Sequence, residues 1–203
     1  MGYSVVSTSY RFIPEHPWPA QLEDVVDVFQ EVASSPQKYG LQAKNFILSG
    51  RSAGGHLALV AGLRLRDPRI QGIISFYPVV DFKLFFETGY PGDLLDTPTL
   101  LSQLLRSTPQ SNPEIYANIN PVNFISPYSP PVLLLHGDRD SVVSVRHSQI
   151  MAEHLRASRI PYYLLELPYE SHGFDLNLNG PGGQAASFAV RQFLTSIFEK
   201  SAN

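Results

Sequence analysis

The 203 residues, 43% hydrophobic and 16% charged, are enough to bury the core of one globular domain and too apolar for a disordered chain. A formal net charge of −3 without any block of Lys or Arg leaves no electrostatic footprint for nucleic acid or an anionic membrane, and points to a small-molecule partner. The absence of cysteine excludes disulfides, thiolate metal sites and cysteine nucleophiles, and no apolar run reaches the length that spans a bilayer.

In chain order, Met1-Gly2-Tyr3-Ser4 has none of the basic character of a signal peptide and runs directly into Ser4 to Tyr10, whose β-branched residues predict a strand. A Pro-punctuated turn, Pro14 to Pro19, follows. Leu22, Val25, Val26, Phe29 and Val32 then recur at helical spacing. Asn45 to Ser49 predicts a second short strand; Leu57, Val60, Ala61 and Leu65 carry a helix after Gly55, and Ile70 to Tyr77 predicts a third strand.

The rhythm breaks between Asp81 and Pro130, an aromatic, Leu-rich and Pro-interrupted stretch. A connection that long in a compact domain is functional or holds short helices of its own, and it reads as a cap-like insertion, 81–130, over a pocket. From Pro131, "PVLLLHG" predicts a fourth strand with little alternation, as expected when both faces are covered. A helix from Val145 to Ala157, a fifth strand from Tyr162 to Leu167 and a terminal helix marked by Val190, Phe193, Leu194, Ile197 and Phe198 complete the chain. Strands alternating with helices predict one α/β domain over 1–203, a mostly parallel sheet with helices on both faces.

A serine hydroxyl is a weak nucleophile at neutral pH; it needs a histidine base, itself held by a carboxylate. Gly50-Arg51-Ser52-Ala53-Gly54 fits G-x-S-x-G, the strained strand-to-helix turn that presents a nucleophilic serine, and it lies between a predicted strand and a predicted helix. His136-Gly137-Asp138-Arg139-Asp140 ends the fourth strand, where α/β sheets place their ligands, and Glu170-Ser171-His172-Gly173-Phe174 follows the fifth. The chain order Ser52, Asp140, His172 is that of α/β-hydrolases.

Each residue also has a plainer reading. Ser52 could be a turn serine, Asp140 could cap the helix near Val145, although Ser144 suits that role better, and His172 could be a surface histidine. Asp138 and Glu170 are the alternative acids. His56 and His136 read as structural groups hydrogen-bonded to backbone. Six histidines without a close-spaced pair, and with no cysteine, predict no metal site, and the chemistry needs no cofactor. Among the cap aromatics, Phe82, Phe85, Phe86 and Tyr90 read together as an apolar acyl or alcohol pocket, against the alternative that each is ordinary core.

The stretch Tyr10-Arg11-Phe12-Ile13-Pro14-Glu15-His16-Pro17-Trp18-Pro19-Ala20, followed by Leu22-Glu23-Asp24-Val25, resembles the Y-R-x-x-P-E-x-P-x-P-A-x-x-x-D signature of hormone-sensitive-lipase-like and acetyl-esterase-like carboxylesterases in the α/β-hydrolase superfamily. Gly50 to Gly55, His136 to Asp140 and His172-Gly173 continue the match in order. The resemblance implies an α/β-hydrolase fold, Ser52 as nucleophile, Asp140 as acid, His172 as base, the Ala53 backbone N–H as an oxyanion donor, and short-chain acyl esters as small-molecule substrates.

The family's H-G-G-G segment, which completes the oxyanion hole, has no counterpart before the Tyr10-Arg11 signature, so the expectation is an N-terminally truncated fold in which Met1 is not the natural start. Loss of one oxyanion donor costs roughly two to three powers of ten in turnover. The Ser4–Tyr10 strand is then expected to pair directly with the strand ending at the serine, or to leave backbone groups unpaired. A non-catalytic binding module of the same fold is the reading from another class; within enzymes, an amidase or peptidase, or a kynurenine-formamidase-like hydrolase, is the runner-up. Oligomeric state and location are not written in these motifs.

Overall fold

The computed structural model describes residues 2–198; Met1 and residues 199–203 lie outside them. Four parallel strands, β1 (Phe46–Arg51), β2 (Ile70–Phe76), β3 (Val132–Gly137) and β4 (Tyr162–Leu167), form one sheet in the order 1-2-3-4. Ser49 pairs with Ile74, Ile74 with Leu133, and Leu133 with Tyr163. Helix α1 (Ala20–Ser34) precedes the sheet, the crossovers carry α2 (Ala53–Leu65), α3 (Phe82–Thr88), α4 (Thr97–Leu105), α5 (Pro113–Asn118) and α6 (Arg146–Ala157), and α7 (Pro181–Phe198) follows β4.

The unbroken apolar run of β3 is explained by what covers it. Val132 and Leu134 pack with Leu59 and Leu63 of α2 and Met151 and Leu155 of α6, whereas Leu133 and Leu135 pack with Phe174 and with Ala186 and Phe193 of α7. Both faces are therefore buried, and alternation has nothing to distinguish. Helix α2 is apolar on more than one side for a similar reason: Leu57, Val60 and Ala61 turn away from the sheet and meet Leu22 of α1.

The amino end corrects one expectation. Ser4 to Tyr10 forms no ladder. β-branched residues favour an extended backbone, but a strand is a pairing, and among the described residues no strand pairs with this segment. Val5 is 89% exposed, so the unpaired amides meet water instead of being buried. The segment is held further on, where the Arg11 backbone N–H donates to Asp24 (2.7 Å) and its guanidinium bonds Asp24 and Glu23. Among the described residues the outer edge of β1 likewise has no partner strand.

Residues 81–130 fold as three short helices and a 3₁₀ turn, Pro121–Phe124. Asp81 caps α3 through the Leu84 N–H and Asn112 caps α5 through the Ile115 N–H. Phe82, Phe85, Leu101, Leu105, Tyr116 and Ile119 form a separate apolar cluster with Val79 and Val143, above the carboxyl ends of β2 and β3.

Candidate active site

Three loops meet at the carboxyl ends of the strands. Ser52 stands between β1 and α2 with φ 52° and ψ −120°, a conformation that costs a non-glycine residue about 1–3 kcal/mol and persists only when its surroundings impose it. The Ser52 N–H donates to the Phe76 carbonyl (2.9 Å) and its own carbonyl accepts from His56 N–H (3.0 Å). Gly50 makes the turn possible: a Cβ there would lie 2.1 Å from the Gly54 carbonyl oxygen.

His172 follows β4. Its Nδ1 lies 2.6 Å from Asp140 Oδ2 and its Nε2 lies 3.0 Å from Ser52 Oγ. A carboxylate can only accept, so Nδ1 carries the proton, and the lone pair on Nε2 faces the serine hydroxyl. Asp140 Oδ1 accepts from the Val142 (2.9 Å) and Val143 (2.8 Å) N–H groups. Burial of this carboxylate raises its pKa, but hydrogen bonds from His136, His172 and the Val143 amide outweigh it and hold the group well below the usual carboxylate range.

His136 is fully buried behind the acid. Its Nε2 faces the Val143 carbonyl (2.8 Å) and Asp140 Oδ2 (3.3 Å), both acceptors, so Nε2 carries the proton and Nδ1 accepts from the Ser148 hydroxyl (2.7 Å). The alternative acids are turned elsewhere. Asp138 accepts from Tyr169 N–H (2.6 Å), and Glu170 accepts from Gly182 N–H (2.8 Å) at the start of α7.

A bracket that sequence reasoning missed secures the histidine loop. Asp175, buried and three residues beyond His172, accepts from the Tyr77 hydroxyl (2.5 Å) and from Arg51 Nε. The Tyr77 ring lies 4.4 Å from the His172 ring, and burial, with its bond to Asp175, pushes the Tyr77 hydroxyl pKa up. Arg51, the variable residue before the serine, thus ties the turn holding Ser52 to the loop holding His172. Arg51 and Asp175 are 124 positions apart, and neither carries a local signal for the other.

Beside Ser52 lies a cavity of about 240 Å³ lined by Trp18, Phe82, Phe85, Leu101, Leu104 and Val143, among others. Ala53 lines it too, and as the first residue of α2 its N–H has no intrahelical acceptor. Two of the expected pocket aromatics are not there. Phe86 stands edge-on to Tyr116 at 5.8 Å, and Tyr90 is 64% exposed. Phe86, four residues after Phe82, lies on the same side of α3 but packs against Tyr116 and the cap's own apolar cluster; Tyr90 comes after the helix has ended at Gly89.

Gln21 of α1 and His56 of α2 also line the cavity; of the lining residues before β1, Trp18 alone lies in the Pro-rich stretch the sequence marked. The Val79 backbone offers the buried His56 ring the expected backbone hydrogen bond, but only a poor one, and neither ring nitrogen has a partner in good hydrogen-bond geometry. A larger depression of about 520 Å³, lined by Arg66, Asp67, Pro68 and Tyr128, opens near the amino ends of β2 and β3, away from Ser52.

The BD-FAE family model matches residues 1–155. The probable carboxylic ester hydrolase LipM of Mycobacterium tuberculosis is 31% identical over 210 residues, covering 98% of this chain and 48% of that protein. Esterase LipC of the same organism is 29% identical over 214 residues, covering 99% and 52%. The chain spans about half the length of these curated relatives. Among solved structures, an acetyl ester-xyloside bifunctional hydrolase from Caldicellulosiruptor lactoaceticus superposes with a TM-score of 0.76 at 25% identity, over 93% of this chain and 69% of that one. Esterase B from Lactobacillus rhamnosis gives 0.76 at 18% identity, over 95% and 65%, a likeness of fold alone. No helix among the described residues is long and apolar enough to cross a membrane.

Proposed function

The chain belongs to the BD-FAE family and has an α/β-hydrolase fold, and on that premise we propose that it hydrolyses carboxylic esters through an acyl-enzyme on Ser52. The observation that carries the reading is the hydrogen-bonded series Ser52 Oγ, His172 Nε2, His172 Nδ1 and Asp140 Oδ2, with contacts of 3.0 and 2.6 Å. The esterase relatives support the same chemistry.

In the first half-reaction, Ser52 Oγ attacks the ester carbonyl carbon while its proton passes to His172 Nε2. Asp140, held ionised, stabilises the resulting imidazolium. The oxyanion develops toward the Ala53 N–H at the positive end of α2. Collapse breaks the bond to the alcohol oxygen, which takes the proton from Nε2, and leaves an ester on Ser52. Water, deprotonated by the same nitrogen, then attacks that ester; the acid departs and Oγ recovers its proton.

The cavity indicates the size of the acyl group. At about 30 Å³ for each water-sized unit, 240 Å³ accommodates a short chain. Residues 81–130 serve as the cap, since Phe82, Phe85, Leu101 and Leu104 form much of the wall.

Hydrolysis of p-nitrophenyl acetate and butyrate by the chain, beside Ser52→Ala, tests the reading. Expected are turnover by the parent, none above background by the variant, and labelling of the parent alone by a fluorophosphonate. An unlabelled parent would mark a non-catalytic binding module. Faster cleavage of the matched anilides than of the esters would make it an amidase.

A further inference from the structure

Besides Ser52 and Tyr10, two buried polar side chains border the otherwise apolar cavity, and both have polar atoms without a well-placed partner. Gln21 is 6% and His56 4% exposed. Both line the cavity together with Ser52. Both N–H groups of the Gln21 amide are committed, to the Arg11 carbonyl (3.1 Å) and the His16 carbonyl (2.6 Å). Reversing the amide would set its oxygen against two other oxygens, so its orientation follows from the network. The remaining atom, Oε1, is buried and accepts from nothing.

His56 lies between Trp18 (ring centroids 5.7 Å apart) and Phe82 (4.7 Å). Burial pushes its pKa down to about 3, against a pull from the Val79 backbone in the other direction, so the ring is neutral near pH 7. A neutral imidazole has one donor and one acceptor nitrogen; the Val79 backbone offers the donor a poor hydrogen bond, and among the described residues neither nitrogen has a partner in good geometry. Folded proteins pair such groups unless something else is to fill the role.

We propose that Gln21 and His56 are specificity-determining residues that recognise a hydroxyl on the acyl group occupying this cavity. A hydroxyl both donates and accepts; it can donate to Gln21 Oε1 and exchange a hydrogen bond with either nitrogen of His56. A methyl group of the same size fills the space but leaves those atoms unpaired, and buried sites built for a hydroxyl discriminate against such analogues. The substrate class is thus an ester of a short hydroxy acid, and the inference rests on the proposed hydrolysis at Ser52.

The test compares kcat/KM for isosteric pairs of p-nitrophenyl esters: 2-hydroxypropanoate with 2-methylpropanoate, and 3-hydroxybutanoate with 3-methylbutanoate. The parent is expected to favour the hydroxyl partner by about tenfold or more in at least one pair. His56→Phe, which keeps the ring contacts, and Gln21→Leu are each expected to bring that ratio to about one or below. Because the ratio is internal to each protein, a general loss of folded enzyme leaves it unchanged.

Preference for the methyl partner in both pairs, or ratios unaltered in both variants, overturns the proposal and leaves these side chains as holders of solvent only. Failure of the esterase reading itself is distinguishable, because p-nitrophenyl acetate would then also go uncleaved. In that case ligand-observed NMR of ethyl 3-hydroxybutanoate against ethyl 3-methylbutanoate, and of ethyl 2-hydroxypropanoate against ethyl 2-methylpropanoate, on Ser52→Ala decides the recognition alone. Binding of a hydroxy ester that is lost on adding His56→Phe supports it, and equal binding within both pairs overturns it.

Discussion

Replacing Asp175 with Ala removes the link between the serine turn and the histidine loop without touching any of the three reacting side chains. Two interactions are lost. The Tyr77 hydroxyl, bonded at 2.5 Å in a buried setting, is left without its acceptor, which costs about 1–3 kcal/mol. The ion pair with Arg51 adds little, since that side chain is 56% exposed and solvent screens it to about 1 kcal/mol or less. A total of about 1–4 kcal/mol corresponds to a fall in Tm of roughly 2–16 °C for a domain of this size.

The larger effect is expected on turnover. The 3.0 Å contact between His172 Nε2 and Ser52 Oγ depends on a loop that Asp175 anchors three residues away, and a misplacement of about 1 Å can cost on the order of 10²-fold. The assay is steady-state hydrolysis of p-nitrophenyl butyrate at a temperature where both proteins are folded. A fall in kcat with KM nearly unchanged is expected, because the acyl cavity lies on the other side of Ser52. Asp175→Asn, whose amide oxygen can still accept from Tyr77, should recover most of the loss. A kcat for Asp175→Ala within twofold of the parent would refute the bracket as a positioning device.

Acid should destabilise the fold before most of its carboxylates protonate. Burial lowers His56 to about 3 and His147 to about 4, against an unfolded value near 6.5. Between about pH 4 and 6.5 the unfolded chain binds more protons than the native one, so stability is fully present above 6.5 and falls with pH by about 1.4 kcal/mol per unit for each histidine. A loss of roughly 3–5 kcal/mol between pH 6.5 and 4.5 is expected in urea unfolding, and a flat profile would count against buried neutral rings. Asp140, held low, contributes stability present above about pH 4 and lost only as the pH falls further. At the serine turn, Gly50→Ala should abolish activity and destabilise the fold, its Cβ meeting backbone at 2.1 Å, whereas a Cβ at Gly54 meets nothing within 4 Å. Gly54→Ala should therefore leave the melting temperature within a few degrees of the parent; equal damage by both would contradict the geometry.

The features legible in the amino-acid order are those encoded within a few residues. The apolar run of "PVLLLHG", the helical spacing of Leu22 to Val32 and the glycines around Ser52 each reflect local backbone chemistry, and together they imply an alternating α/β architecture with Ser52, Asp140 and His172 beyond the carboxyl ends of β1, β3 and β4. Tertiary structure decided what depends on neighbours distant in sequence. Ser4 to Tyr10 has strand composition but finds no pairing strand among the described residues, so no ladder forms. Phe82, Phe85, Phe86 and Tyr90 are equally aromatic, yet only the first two line the cavity, because Phe86 packs against Tyr116 and Tyr90 lies beyond the end of α3. His56 and His136 look alike in sequence; His136 is well hydrogen-bonded on both nitrogens, whereas His56 has only a poor contact with the Val79 backbone. Periodicity and turn propensity act along the chain, whereas pairing, burial and hydrogen-bond satisfaction are set by which segments the fold brings into contact.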